Sequence, residues 1–171
     1  MKKVFFLALG LVIALSVNAQ VKVVSPHPDV KVKFLRCIES GGTAVIEFTV
    51  NNLSNQDQEF TILGYNNYST AYDDEGNVYR GGNIQISDQT YYAVSVVFPS
   101  NIPVKCREHI EKVSKYATEF SKATVGINYG QGTKIIEFFN IPITRDLSKM
   151  KRIIYFTLLL LTALSVNAQV K

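Results

Sequence analysis

The chain has 171 residues, of which 47% are hydrophobic and 19% charged, and its formal net charge is +4. Five of its 18 basic residues lie in the terminal segments 1–19 and 150–171, so residues 20–149 keep 13 basic and all 14 acidic residues, a net charge of −1. This balance removes the usual argument for nucleic acid or an anionic surface as a partner, which rests on an excess of Lys and Arg. The length of residues 20–149 predicts one domain.

A secretory signal is predicted over residues 1–19. Lys2 and Lys3 precede a long apolar run, which ends at the small-residue motif Val17-Asn18-Ala19. This order of a basic start, an apolar stretch and a cleavage motif predicts processing after Ala19. We therefore expect an exported protein, located in the periplasm, on the cell surface or outside the cell.

A second signal-like segment occupies residues 150–171. Its last nine residues, Ala163–Lys171, are identical to Ala14–Lys22. One interpretation is a duplicated leader joined to this reading frame, and the other is a C-terminal membrane anchor through Ile153–Val166. That run is shorter than the roughly 20 residues that a membrane-spanning helix needs, and an anchor has no use for a repeated cleavage motif. The duplicated leader is favoured, and membrane contact is expected only from an anchor.

Alternating apolar and polar residues predict strands through most of residues 20–149. The clearest runs from Ala44 to Val50, with its even-numbered side chains facing the core. Glu39–Gly42 predicts a hairpin before this strand, because glycine adopts positive φ without steric cost. Tyr91–Phe98 is apolar on both faces for several residues, which predicts a central strand. The last predicted strand, Lys134–Ile143, carries a proline near its end and is expected at an edge or a strand terminus.

Two further segments have turn or helical signals. Ser69–Tyr79 predicts a hairpin in which Tyr72 and Tyr79 pair across the strands. Over residues 106–118 the apolar side chains recur at helical spacing, which predicts one short helix. The fold class is therefore mainly β, an antiparallel sandwich or barrel with one short helix near 106–118. The apolar terminal segments are expected to be helical and to lie outside this fold.

Four short stretches resemble small secreted immunoglobulin-like β-sandwich proteins of unknown function from Bacteroidetes-type bacteria. They are Phe48–Asn52, Ala71–Tyr79, Ile102–Lys105 and Phe138–Ile143. The resemblance covers most of residues 30–144 and implies an immunoglobulin-like sandwich and an exported location. It also implies strands, rather than a helix, after Val104. It brings no catalytic residues.

The two cysteines, Cys37 and Cys106, have two possible states. Export to an oxidising compartment favours a disulfide, which would close a loop of about 70 residues and stabilise the fold by on the order of 4 kcal/mol. The alternative is a pair of buried free thiols, since cysteine is among the residue types that are most often buried. We predict the disulfide.

One acidic cluster is a weak calcium candidate. Asp73, Asp74, Glu75 and Asn77 bring oxygen atoms together, but Gly76 does not stand where an EF-hand loop requires its glycine. The spacing favours a hairpin tip whose Asp and Asn side chains bond their own backbone. No metal site and no cofactor are predicted.

Catalytic signals are weak. Ser25, His27 and Asp29 occur together, but neighbours on an extended, proline-containing segment do not form a catalytic relay, which is assembled in space. The chain has only two histidines. We therefore predict that the protein is not an enzyme.

Tyrosine and asparagine are concentrated in one region. Exposed Tyr supplies rigid contact area and Asn supplies adaptable hydrogen bonds, as in sites that recognise sugars or proteins. The alternative is strand-forming Tyr with half-buried rings. The candidate ligand-binding residues are Tyr65, Asn66, Asn67, Tyr68, Tyr72 and Tyr79, with Tyr91 and Tyr92 nearby.

Three classes of function follow from these observations. The leading one is an exported, non-catalytic binding or interaction module whose partner is a protein or a glycan. The second is a structural accessory protein that pairs with a partner through an exposed edge strand such as Lys134–Ile143. The third is an enzyme of unrecognised type, which a pocket with perturbed acids or a histidine would favour.

Overall fold

The computed structural model describes residues 20–65, 67–130 and 132–145. Both signal-like segments, residues 1–19 and 150–171, lie outside these ranges, and so does Asn66. The chain is mainly β structure, and in these ranges there is no helix that is long and apolar enough to cross a membrane. The strands are β1 (Lys22–Val24), β2 (Val30–Ser40), β3 (Thr43–Asn52), β4 (Gln58–Leu63), β5 (Thr70–Asp73), β6 (Val78–Arg80), β7 (Asn83–Ile86), β8 (Gln89–Tyr91), β9 (Ala93–Phe98), β10 (Pro103–Ile110), β11 (Glu119–Asn128), β12 (Thr133–Pro142) and β13 (Thr144–Arg145).

The strands form two sheets. The seven-stranded sheet has the order β1-β12-β11-β4-β9, with β5 also paired to β11 and β6 paired to β5. The six-stranded sheet has the order β13-β2-β3-β10-β7-β8. The pairing is antiparallel in both sheets, apart from the short parallel contact of β13 with β2. β12 bonds one edge of β11 along its length, so β4 and β5 share the other edge, β4 at residues 126–128 and β5 at residues 120–124.

Side chains from the two sheets share one core. The ring centroid of Phe138 on β12 lies 5.3 Å from that of Phe48 on β3 and 6.5 Å from that of Phe34 on β2. The even-numbered side chains of β3 are buried, which confirms the predicted orientation of this strand. The hairpin at Glu39–Gly42 is also confirmed: Gly41 and Gly42 have φ of 63° and 84°, a conformation that glycine adopts most readily.

The predicted helix over residues 106–118 is wrong. Residues 106–110 belong to β10, which bonds β3 on one side and β7 on the other. Cys106, Glu108 and Ile110 are buried and alternate with partly exposed residues, which is the period of a strand. Val113 and Ala117 are buried in the loop that follows. Their spacing imitates a helix, but pairing with two neighbouring strands determines the local structure.

Two predicted strand positions are also corrected. Tyr91–Phe98 is predicted to be central, yet among the described residues β9 bonds only β4 and ends the seven-stranded sheet. Lys134–Ile143 was expected as an exposed edge. Instead, β12 bonds β11 along its length and β1 at residues 137–139. The proline marks a strand terminus, the second of the two predicted positions, because Pro142 is the last residue of β12.

The predicted hairpin at Ser69–Tyr79 forms, but its register differs from the expectation. Tyr72 pairs with Val78, and Tyr79 pairs with Ala71. A shift of one residue moves a side chain to the other face of a sheet. The two tyrosines therefore lie on opposite faces and do not pair.

The predicted disulfide is absent: Cys37 and Cys106 are free thiols, and both are buried. Cys37 lies on β2 and Cys106 on β10, and these strands flank β3 on opposite sides. Two strand spacings separate them by about 10 Å, whereas the Cα atoms of a disulfide lie less than about 7 Å apart. The central strand thus keeps the two sulfur atoms from bonding.

We predict that neither thiol reacts in the folded protein. Burial, with smaller contributions from nearby carboxylates, raises the pKa of Cys37 to about 12, and burial raises the pKa of Cys106 further. Because the thiolate is the reactive form, a thiol reagent is expected to label two cysteines in denaturant and none in buffer. Ser121→Cys, at an exposed position of β11, is the positive control. Rapid labelling of either native cysteine would contradict the buried arrangement.

Candidate functional site

The loop between β4 and β5, residues 64–69, makes backbone hydrogen bonds to two other parts of the chain and within itself. The N–H of Gly64 donates to the carbonyl of Tyr92 at 2.7 Å, and the N–H of Gly82 donates to the carbonyl of Gly64 at 2.8 Å. Within the loop, the N–H groups of Tyr68 and Ser69 both donate to the carbonyl of Tyr65 at 2.8 Å. These bonds position the backbone of Tyr65 and Tyr68, whose rings the loop presents.

Tyr68 packs on a glycine of β11. The neighbours of Gly126, Val125 and Ile127, face the core, so Gly126 faces outward. A Cβ atom added at Gly126 would lie 2.7 Å from Cβ of Tyr68 and 2.9 Å from Cβ of Leu63. The missing side chain therefore lets Tyr68 lie directly on the outer face of the seven-stranded sheet.

Two exposed tyrosines stack beside this loop. The rings of Tyr65 and Tyr92 have centroids 6.3 Å apart and planes inclined by 19°. Tyr65 is 50% exposed and Tyr92 is 57% exposed, so much of each ring is available to a ligand. With Asn67 and Tyr68 they line a shallow hollow of about 490 Å³, named here the tyrosine hollow.

A polar groove begins at Tyr92. It has a volume of about 660 Å³ and lies where the chain crosses between the sheets, at residues 80–83 and at Tyr92. Its walls carry both charges, including Glu75, Arg80, Glu111 and Lys112. Tyr92 lines both the groove and the tyrosine hollow, so the two adjoin at this side chain.

The structure brings only part of the predicted tyrosine set together. Tyr65, Asn67 and Tyr68 line the hollow, and Asn66 lies outside the described residues. Tyr72 is exposed on β5, opposite Lys122 of β11, and does not line the hollow.

Tyr79 is structural. Its hydroxyl donates to Oδ2 of Asp73 at 2.7 Å and accepts from the N–H of Ser114 at 3.0 Å. Its ring lies edge-on to Phe120, with centroids 5.8 Å apart. Burial raises the pKa of Tyr79, and the adjacent Asp73 adds to this effect. The side chain joins the hairpin to the loop after β10.

The acidic hairpin tip is organised by its own donors. Asp73 is buried and accepts hydrogen bonds from the N–H groups of Glu75 and Asn77, from the side-chain amide of Asn77 and from Tyr79. Burial alone would raise the pKa of Asp73, but these hydrogen bonds outweigh it and lower the pKa. Asp74 accepts from the N–H of Thr118 at 3.0 Å, and the Thr118 side-chain hydrogen bond is the main cause of its lowered pKa.

The calcium candidate therefore consists of carboxylates that already have hydrogen-bond donors. In the part of the chain that the structure describes, no group of three or more His, Cys, Asp and Glu side chains is placed to hold a metal ion.

The sequence neighbours Ser25, His27 and Asp29 do not form a relay. The hydroxyl of Ser25 accepts from the N–H of Val32, and Nδ1 of His27 accepts from the N–H of Asp29. The second histidine, His109, lines the polar groove, and burial, followed by the charge of Arg107, lowers its pKa.

His109 and Ser114 both line the polar groove, but each is bonded to another residue. Nε2 of His109 lies 3.2 Å from Oε1 of Gln85, and the hydroxyl of Ser114 donates to Glu75 at 2.8 Å. This pairing supplies no Ser–His hydrogen bond of the kind that activates a hydroxyl nucleophile.

Sequence reasoning missed two glutamates. Glu47 lies at an outward position of β3 and is nevertheless only 6% exposed, because basic side chains from β2 and β10 cover it. Glu108 lies inside the core at 1% exposure. One of its oxygens accepts from Ser69, and the other has no partner among the described residues. A strand prediction for residues 106–110 would have placed Glu108 in the core, because it alternates with Cys106 and Ile110 on the same face.

No protein-family model matches this chain, and no curated protein matches it.

Proposed function

We propose that this protein is an exported, non-catalytic binding module that holds a glycan in the tyrosine hollow. The observation that carries the proposal is the exposed, stacked pair Tyr65 and Tyr92 beside Asn67. Tyr65 and Tyr92 are brought together by the hydrogen bond from the N–H of Gly64 to the carbonyl of Tyr92. A ring fixed before binding loses little conformational freedom when a ligand arrives, which favours affinity.

The chemistry of the hollow suits a sugar ring. Tyrosine offers a flat apolar face together with a polar hydroxyl, and a pyranose has flat C–H faces edged by hydroxyl groups. Asn67 supplies an amide that both donates and accepts hydrogen bonds. The polar groove that continues from Tyr92 would extend contact to further sugar units of the same chain.

The remaining parts of the proposal concern fold type and location. The two sheets with a common core support an immunoglobulin-like β-sandwich over residues 20–149. The leader at residues 1–19 supports export, and the repeated residues at 163–171 support a duplicated leader over an anchor.

Calorimetric titration with neutral hexasaccharides of glucose, xylose and mannose tests the proposal. We expect one of the series to bind, and Tyr65→Ala and Tyr92→Ala each to weaken binding roughly tenfold or more. Tyr116→Ala is the matched control, because Tyr116 is 67% exposed and lines neither hollow nor groove. Absence of binding across the series, or an equal loss in the control, would reject the tyrosine hollow as a glycan site.

A structural accessory role is the second candidate, at a different strand from the one expected. In the part of the chain that the structure describes, β9 bonds β4 along one edge and no strand along the other, and Val97 at its outer face is 61% exposed. An unpaired strand edge is a template for adding a strand from a partner. This edge therefore supports β-augmentation better than β12 does.

A further inference from the structure

The outer face of the six-stranded sheet concentrates basic side chains, although residues 20–149 carry a net charge of −1. The central strand β3 is flanked by β2 and β10. Its outward residue Thr49 lies opposite Lys33 on one side and Lys105 on the other. Its outward residue Glu47 lies opposite Arg36 and Arg107 in the same way. We name these cations, with Lys31 beyond Lys33, the basic face.

Glu47 holds the two guanidinium groups of the basic face in place. Nε of Arg36 lies 2.8 Å from Oε2 of Glu47, and Nε of Arg107 lies 2.8 Å from Oε1. A second donor of Arg36, Nη2, lies 3.2 Å from Oε1, and Nζ of Lys105 lies 3.9 Å from Oε2. The hydrogen bond from Arg36 is the largest cause that lowers the pKa of Glu47 to about 2. Three cations thus surround one carboxylate.

A bulge in β2 creates this arrangement. The pairing of β2 with β3 shifts between Phe34 and Arg36, so Leu35 is the extra residue. A bulge changes which face the following side chains take. Phe34 packs against Phe138 inside the core, and two residues later Arg36 lies on the outside beside Glu47.

The free donors of the arginines suit oxyanions. A guanidinium has five N–H donors, and Arg107 uses its Nε on Glu47. The side chains remain 57% exposed for Arg36 and 33% exposed for Arg107. Arginines already held in position bind carboxylate or sulfate groups with less loss of entropy, often through two parallel hydrogen bonds.

The spacing of the cations suits a polymer rather than a single ion. Outward residues recur about 7 Å apart along a strand, and the rows on β2 and β10 are about 10 Å apart, two strand spacings. The outward positions of β2, β3 and β10 carry no Phe, Tyr or Trp on which nucleic-acid bases could stack. Both rows lie on the same face of one sheet, which gives an extended chain access to both of them.

We propose that the basic face binds an acidic polysaccharide, a linear chain bearing carboxylate or sulfate groups. This site lies on a different sheet from the tyrosine hollow and does not depend on it. The net charge of residues 20–149 is slightly negative and does not favour a polyanion. The attraction therefore comes from the local arrangement of cations on the basic face.

Binding is tested with heparin and polygalacturonate as probes and neutral dextran as the comparison, at 50 and 200 mM NaCl. We expect binding to both acidic chains at low salt and clear weakening at the higher salt, since screening shortens the range of the interaction. Neutral dextran is expected not to bind. Equal binding to dextran, or no binding to either acidic chain, would overturn the proposal.

Variants separate the basic face from net charge. Lys33→Gln with Lys105→Gln leaves the arginine pairs on Glu47 intact and is expected to weaken binding at least tenfold. Lys115→Gln with Lys134→Gln removes the same charge away from this face and is expected to have little effect. If both double variants lost binding equally, net charge alone would explain the binding, and the basic face would be rejected as the site.

Two further measurements test the organisation and the ligand class. Arg36→Lys keeps the charge but loses the two-donor fork, so binding is expected to weaken several-fold at unchanged fold by circular dichroism. No change in binding would reject the role of the fork. Binding to single-stranded DNA or to phosphatidylglycerol vesicles that equals or exceeds binding to heparin would assign the face to another class of partner.

Discussion

Replacing Gly64 with alanine is expected to lower the free energy of unfolding by about 3 kcal/mol or more. A Cβ atom at this position would lie 2.0 Å from the carbonyl oxygen of Gly82 and 3.2 Å from Cγ1 of Ile84. The nearest obstacle is backbone, so no side-chain rotation relieves the contact. The hydrogen bond from Gly82 to Gly64 would have to break or lengthen, and the crossing between the sheets would shift.

Gly42→Ala is the matched control for this prediction. Gly42 has no atom within 4 Å of an added Cβ, but its φ is +84°, so alanine is expected to cost only about 1 kcal/mol there. Urea unfolding followed by circular dichroism measures both variants. Equal losses of stability would show that backbone conformation, and not the close approach of Gly64 to Gly82, sets the cost. Gly64→Ala is also expected to weaken glycan binding, because Tyr65 follows it directly.

Stability is expected to fall as the pH rises from about 4.5 to about 7, because of Glu108. Burial raises the pKa of Glu108 from its ordinary 4.5 to about 7, and the hydrogen bond from Ser69 opposes this only in part. Across that window the unfolded chain releases the proton and the folded protein keeps it, so rising pH favours unfolding. The loss amounts to roughly 3 kcal/mol and levels off above about pH 7.

Glu108→Gln isolates this contribution, because a glutamine amide does not titrate. Ser69 bonds the carboxyl and Cys37 interacts with its charge, and neither of these groups changes charge below pH 7. The lowered pKa of His109 acts in the opposite direction, but equally in both proteins. Urea unfolding of both proteins at pH 4.5 and 8 measures the difference. The variant is expected to lose less stability with rising pH than the natural protein. Parallel profiles would show that Glu108 is ionised in the fold or exposed to water.

Two glutamates thus have opposite pKa shifts because they lie on opposite faces of one sheet. Glu47 on β3 faces outward among arginines, whose hydrogen bonds lower its pKa to about 2. Glu108 on the adjacent strand β10 faces the core, where burial raises its pKa. The outward glutamate organises a charged surface, whereas the inward one makes stability depend on pH.

The candidate site was predictable in part. Tyr65, Asn67 and Tyr68 were identified from composition, since adjacent tyrosines and asparagines in a turn region indicate an exposed contact surface. Their partner Tyr92 was noted only as a neighbour in the sequence. It joins them because its carbonyl accepts from Gly64, a hydrogen bond between residues 28 positions apart that no local pattern records.

The basic face was not predictable from charge counting. Lys33 and Arg36 lie on β2, and Lys105 and Arg107 lie about 70 residues later on β10, so neither pair forms a cluster in the sequence. Strand β3 between them brings the four cations to one surface.

The sequence by itself determined most of the strands, the buried side of β3 and the glycine hairpin before it. These features depend on the alternation of apolar and polar residues and on local backbone preferences, both of which are set by neighbouring residues. Only the tertiary structure decided that β9 is an edge, that residues 106–110 are a strand and that β3 separates Cys37 from Cys106. Each of these outcomes depends on which distant strands pair. A period of two specifies the face that a side chain takes but not the strand that lies beside it.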